Sequence, residues 1–255
     1  MTNTLNGLRV LNTRPQEQGR ILSEQIHQAG GLSIALPTLE IKENNSEWLE
    51  LLPDLKEVSS ALFISANAVH YCFKLLQEHH ISWPKHIHVI AIGQNTANTL
   101  KHYRIKVDDL PLVPNSEHVL TLPSLQQIKQ KIILLFKGEG GRTLIEESLI
   151  TKQAKLIILA VYQRILPAIN YQFTNSLWRD DAVDIILLTS EQSIHNLFKL
   201  FSQDAHHWLQ NKPCLVISER LAKTASILGI KKIKISHPNW IINTLLDYKD
   251  HIHGE

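Results

Sequence analysis

The residues best equipped for chemistry sit in one turn, Lys137-Gly138-Glu139-Gly140-Gly141-Arg142, which follows an apolar run and leads into a helical pattern. Two cations bracketing glycines suggest an anion cradle, because glycine lets backbone N–H groups approach a charged ligand closely. The turn matches neither standard nucleotide fingerprint, since the chain has no G-x-x-x-x-G-K-[ST] and no placed G-x-G-x-x-G. Hydroxyl residues stand at similar junctions: Thr13, Ser65, Thr96, Thr189, Ser190 and Ser218 lie where an apolar run gives way to a helical one. A hydroxyl there caps the helix, worth about 1 kcal/mol. A cap can also touch a ligand, because helix N-termini present unpaired N–H groups and a partial positive charge. The 14 histidines form no metal pattern. His79-His80, His86/His88 and His206-His207 lie in connecting or helix-end segments without His-x₃-His or Cys-x₂-Cys spacing, so no metal site is expected.

Positioning these turns requires alternating strands and helices. Six strand candidates recur along the chain: LRVLN (8–12), SALFIS (60–65), HVIAIG (88–93), KIILLF (131–136), VDIILLT (183–189) and PCLVIS (213–218). Each runs into a 3.6-period segment, such as 66–77 or 95–103. Near-continuous apolar strands separated by helices predict parallel sheets covered on both faces.

The segments also match in pairs. LRVLNTRPQEQGRILSEQI resembles KIILLFKGEGGRTLIEESL (pattern A), and ALFISANAVHYCFKLL resembles DIILLTSEQSIHNLFKLF (B). HVIAIGQNTANTLKHYRIKV resembles CLVISERLAKTASILGIKKIKI (C), with a short strand expected at the end of each. The order A, B, C, A, B, C predicts two similar α/β domains. Two extended, proline-bearing stretches fall outside the repeat, ALPTLEI (35–41) and LAVYQRILPAI (159–169), and each follows an A pattern. Paired as a two-stranded ladder, they make the first domain discontinuous, 1–36 plus 170–255, and the second contiguous, 41–159. Residues 37–40 and 160–169 are then the crossover. A simple split near residue 128 is the alternative, less favoured because both stretches follow an A pattern.

Five short motifs occur in order: Thr13-Arg14-Pro15, Ser65-Ala66-Asn67-Ala68-Val69, Ala91-Ile92-Gly93 followed by Thr96-Ala97, Gly138-Glu139-Gly140-Gly141-Arg142, and Val161-Tyr162-Gln163-Arg164. With these motifs the chain resembles the uroporphyrinogen-III synthase family over nearly its whole length. The resemblance implies two α/β domains joined by a two-stranded ladder, with an active-site cleft between them. It implies closure of the linear tetrapyrrole hydroxymethylbilane to uroporphyrinogen III, with loss of water and inversion of the last pyrrole ring through a spiro intermediate. The pyrroles supply the electrons, so no metal or redox cofactor is expected. The eight substrate carboxylates call for donors at many turns. The resemblance points to Thr13, Arg14, Ser65, Asn67, Gly93, Thr96, Lys137, Gly138, Arg142, Thr189, Ser190 and Ser218 as substrate contacts. It makes Tyr162 the catalytic acid, since a phenol carries its proton at neutral pH.

Composition agrees with a globular protein that has an adequate core. The 255 residues are 44% hydrophobic and 20% charged, with net charge +2, too balanced to imply nucleic acid or a membrane surface as partner. No apolar run nears the roughly 20 residues of a membrane span. Cys72 and Cys214 lie far apart in apolar surroundings and are expected to be buried thiols, as suits the cytoplasm. The expectation is a cytoplasmic, cofactor-free monomer, in transient contact at most with the enzyme that makes the bilane. The rival is a two-lobed binding protein that closes on an anionic small molecule without chemistry.

Overall fold

The computed structural model describes residues 4–252. Ten strands occur in chain order: β1 (Arg9–Asn12), β2 (Leu32–Ala35), β3 (Glu40–Glu43), β4 (Val58–Phe63), β5 (His88–Ala91), β6 (Ile132–Gly138), β7 (Lys155–Ile165), β8 (Ile185–Leu188), β9 (Cys214–Val216) and β10 (Ile233–Ile235). They form two five-stranded sheets, ordered β10-β9-β8-β1-β2 and β3-β7-β6-β4-β5. The chain divides into two compact units, Met1–Glu40 with Ile165–Glu255, and Ile41–Arg164.

In the first unit every strand pairing is parallel. The alternation of a strand sends neighbouring residues to opposite faces, which makes two core layers. Val10, Ile185, Leu187 and Leu215 pack on one face with Leu22, Ile26 and Leu245. Leu11, Ile186, Leu188 and Val216 pack on the other with Ile194, Leu197 and Leu221. The second unit repeats the device. Leu62, Ile90, Ile133 and Leu135 meet Ile145 and Leu149, whereas Ala61, Phe63, Leu134 and Phe136 meet Val69, Phe73 and Leu100. Phe63 and Phe136 stack with centroids 4.5 Å apart. Cys72 and Cys214 are buried free thiols, and burial pushes Cys214 up to about 12.

All six strand candidates form strands, and the sheet order reproduces the pairing of the patterns. In both sheets C, B and A lie side by side, as β9-β8-β1 and as β5-β4-β6. The second sheet meets them in the chain order B, C, A. One expected strand is missing: residues 105–107 form no strand, and only an isolated bridge joins Ile90 to Asp109. A side chain takes the ladder donor there, because Val89 N–H donates to Asp108 Oδ2 at 2.9 Å.

Only the end of the first extended stretch is paired: it enters β3, which lies beside β7, so the paired segments differ from residues 37–40 and 160–169. β3 is an edge strand beside β7, and Asn44 N–H donates to the Val161 carbonyl at 3.1 Å. β7 is one unbroken strand that also pairs β6, so the extension is the end of a sheet strand rather than a separate ladder. It stops before Pro167, which has no N–H to continue pairing. Residues 36–39 carry no strand.

Candidate functional site

In each sheet the strands of patterns A, B and C run parallel, so their carboxyl ends share one edge, where the strand-to-helix turns collect. Both sheets reverse strand order at an A/B neighbour pair: β1 beside β8, and β4 beside β6. Open α/β sheets bind ligands at the carboxyl ends of such switch points.

At the β4/β6 switch point three residues singled out in the sequence come together. Ser65 follows β4 in extended conformation and caps the helix Ala66–Glu78, accepting the Ala68 N–H at 3.0 Å. Its hydroxyl also donates to the phenol oxygen of Tyr162 at 3.2 Å. Tyr162 is 1% exposed, and its ring lies over Gly138. A Cβ at Gly138 would stand 2.5 Å from the phenol Cζ, so glycine is needed here for room. Two further residues complete the cluster. Arg164 Nη2 donates to the phenol oxygen at 2.9 Å, with its guanidinium carbon 5.4 Å from the ring centroid. Tyr71 stacks on Tyr162 with centroids 6.0 Å apart and is tied by its hydroxyl to the Ile41 carbonyl. Asn67, in the same turn as Ser65, is half-buried.

The remaining candidates of this unit stand elsewhere. Lys137 does not belong to the turn: β6 runs through Gly138, and the Lys137 ammonium is buried and paired with Glu146. Arg142 is exposed and pairs with Glu117 at 2.8 Å. Gly140 and Gly141 take φ of +68° and +87°, the left-handed region that glycine tolerates, which is why the turn is glycine-rich. Gly93 caps the helix Gln94–His102, and Pro114 fills the space a Cβ would need, 2.7 Å away. Thr96 is buried in that helix's first turn.

At the β1/β8 switch point Thr13 Oγ1 donates to the Leu187 carbonyl at 2.6 Å, bridging the two strands. Ser190 caps the helix Glu191–Leu200 and donates to Ser193 Oγ at 3.0 Å. Thr38 Oγ1 reaches the Thr13 carbonyl and Ser193 Oγ, and Asn196 Nδ2 donates to the Thr38 carbonyl at 2.8 Å. Thr189 is half-buried beside this network, and Ser218 caps the helix Glu219–Ile227 after β9. Arg14 differs from the other cations. Its Nε is buried without a hydrogen-bond partner, and burial lowers its pKa from the usual arginine value. A half-buried guanidinium with an unmet donor is suited to an anionic ligand.

The sequence reading missed Arg164, Tyr71, Thr38, Ser193 and Asn196 as partners. Two signals were available. Residues 162 and 164 share a face of a strand, and Ser190, Ser193 and Asn196 form a polar stripe at i, i+3, i+6. Tyr71 and Thr38 gave none, because their contacts are tertiary. Among the described residues no three His, Cys, Asp or Glu side chains are grouped to hold a metal ion, and no helix is long and apolar enough to cross a membrane.

Residues 21–240 match the HEM4 family, described as uroporphyrinogen-III synthase HemD. The chain is 31% identical to the uroporphyrinogen-III synthase of Escherichia coli over 239 residues, covering 89% of this chain and 94% of that protein. It is 30% identical to the Salmonella typhimurium enzyme of that name over 234 residues, with the same coverage. A crystal structure of a mutant uroporphyrinogen III synthase from Thermus thermophilus shares the fold at TM-score 0.65 and 16% identity, covering 98% of this chain and 100% of that one. The Helicobacter pylori structure of uroporphyrinogen-III synthetase does so at TM-score 0.62 and 17% identity, covering 96% and 99%.

Proposed function

The chain belongs to the uroporphyrinogen-III synthase family of cyclising lyases, and on that premise we propose that it closes hydroxymethylbilane to uroporphyrinogen III with Tyr162 as general acid. The observation that carries this reading is the phenol of Tyr162, fixed at the β4/β6 switch point by Ser65, Arg164 and Gly138. Its oxygen accepts two hydrogen bonds, and among the described residues no acceptor takes its own proton. That proton goes to the hydroxyl of the first ring's hydroxymethyl group. The C–O bond breaks, water leaves, and the pyrrole nitrogen lone pair stabilises the carbocation as an azafulvene. The substituted carbon of the last pyrrole attacks it, and the resulting spiro intermediate fragments and recloses through the unsubstituted carbon. Loss of the hydrogen there returns the proton, so the sum is substrate to macrocycle plus water.

Without steering the bilane closes to the non-inverted isomer, so the protein must hold as well as protonate. Arg14, the capped turns at Ser65, Ser190 and Ser218, and the donors near Thr13, Asn67, Gly93, Gly138 and Thr189 are the proposed carboxylate contacts. Lys137 and Thr96 are buried, whereas Arg142 is exposed and keeps guanidinium donors beyond the one that meets Glu117. Of the phenol's partners only Arg164 is exposed, so the substrate approaches from that side, and the catalytic contact forms on binding. The enzyme works in this reading as a cytoplasmic monomer supplied by transient contact with the bilane-forming enzyme.

The test generates hydroxymethylbilane in situ, adds the protein, oxidises the products and separates the type I and type III isomers. Predominantly type III is expected, and type I alone from folded protein leaves only a binding role. Tyr162→Phe is expected to slow type III formation by about 10²–10⁴-fold while leaving it detectable. A rate equal to wild type removes the acid role.

A further inference from the structure

The two donors on the Tyr162 oxygen differ in kind. Ser65 is a neutral hydroxyl already engaged as a helix cap, whereas Arg164 is a cation. Among the described residues Arg164 pairs with no carboxylate, and its polar contact is the phenol oxygen at 2.9 Å. An exposed arginine ordinarily finds a carboxylate or water, so pairing with a neutral phenol requires a cause. The backbone supplies part of it. Residues 162 and 164 lie on one face of β7, and Gly138 with Tyr71 fixes the ring below. The guanidinium therefore meets the oxygen on which negative charge develops when the phenol gives up its proton.

We propose that Arg164 is a positioning residue for the proton transfer: it turns the phenolic hydrogen away from the protein and stabilises the phenolate that forms as the substrate hydroxyl leaves. The step balances. The phenol O–H bond breaks as the new O–H bond of water forms, the C–O electron pair leaves with the water, and the phenolate stays bonded to Arg164 and Ser65. Its proton returns when the last ring recloses. Preorganised donors aimed at developing charge act more strongly in the transition state than in the ground state. Arg164 accordingly acts on kcat more than on KM. A contact with a substrate carboxylate would do the reverse, because it holds ground state and transition state alike.

This inference rests on Tyr162 being the acid, and a double-mutant cycle separates the two claims. Rates of type III formation are measured for wild type, Arg164→Gln, Tyr162→Phe and the double variant, with circular dichroism melts as a folding check. Arg164→Gln is expected to lower kcat by about 10- to 100-fold, the factor carried by a hydrogen bond to a charged group. In the Tyr162→Phe background the same change is expected to alter kcat less than about twofold, because its partner oxygen is gone. Arg164→Lys, which keeps a cation without the planar fork, is expected to recover part of the loss. An equal loss in both backgrounds, or a loss confined to KM, overturns the proposal in favour of a carboxylate contact. A wild-type rate for Arg164→Gln beside an impaired Tyr162→Phe overturns it and leaves the acid in place. A wild-type rate for Tyr162→Phe removes the acid itself.

Discussion

Gly138 shows how one residue can matter for what it lacks. It pairs with Tyr162 across β6 and β7, after a register shift between Lys137 and Gly138. The phenol ring occupies the space where any other residue would carry a Cβ. Gly138→Ala is expected to displace the ring from Ser65 and Arg164 and to lower kcat by about 10²-fold, the scale of a 1 Å misplacement of a catalytic group. Steady-state rates of the alanine variant check this, and an unchanged kcat would show that the ring position is unimportant. Sequence alone picked out Gly138 and Tyr162 through their motifs. It could not reveal that the glycine serves the tyrosine, because the β6–β7 register brings together residues 24 positions apart. Lys137 was misplaced for a related reason. A cation beside glycines suggests a turn, but pairing with β7 carries the strand two residues further and buries the ammonium against Glu146.

The elements of the first sheet are fastened at the end opposite the candidate site. Asp184, just before β8, accepts the backbone N–H of Arg9 at 2.7 Å and its guanidinium through both carboxylate oxygens. Burial works to raise the Asp184 carboxyl, but the hydrogen bonds from Arg9 more than offset it and hold it below the usual value. A depressed carboxyl contributes stability that is full above the unfolded-state value and lost as the pH falls through the folded one. Asp184→Asn is therefore expected to destabilise by roughly 1 kcal/mol near neutral pH, after solvent screening. The gap to wild type should close as the pH drops below about 4. Thermal melts across pH test this, and a gap independent of pH would mean that the carboxylate charge is not involved. Elements of this kind were largely legible. Apolar runs ending in Ser or Gly mark strand and cap together, as at Ser65, Ser190 and Ser218. The segment 105–107 was misread because the Asp108 side chain competes for the ladder, a contact that propensity does not register.

At the scale of the molecule, the two sheets carry patterns C, B and A in one spatial order although the chain visits them in different sequence. The contiguous unit Ile41–Arg164 holds both faces of its own core. We propose that it is an autonomous domain. A protein comprising residues 41–164 is expected to melt cooperatively by circular dichroism and to show no type III synthesis, and a non-cooperative melt would refute its independence. The sequence by itself determined the class of fold, the duplication and most of the turns, because these follow from hydrophobic period, local turn chemistry and repeated pattern, all readable over a few residues. The tertiary structure decided that β3 and β7 extend a sheet rather than form a separate ladder, that Lys137 is buried, and that Ser65, Gly138, Tyr71 and Arg164 converge on one phenol. Register and packing act between residues distant along the chain, and their energies depend on neighbours that only folding supplies.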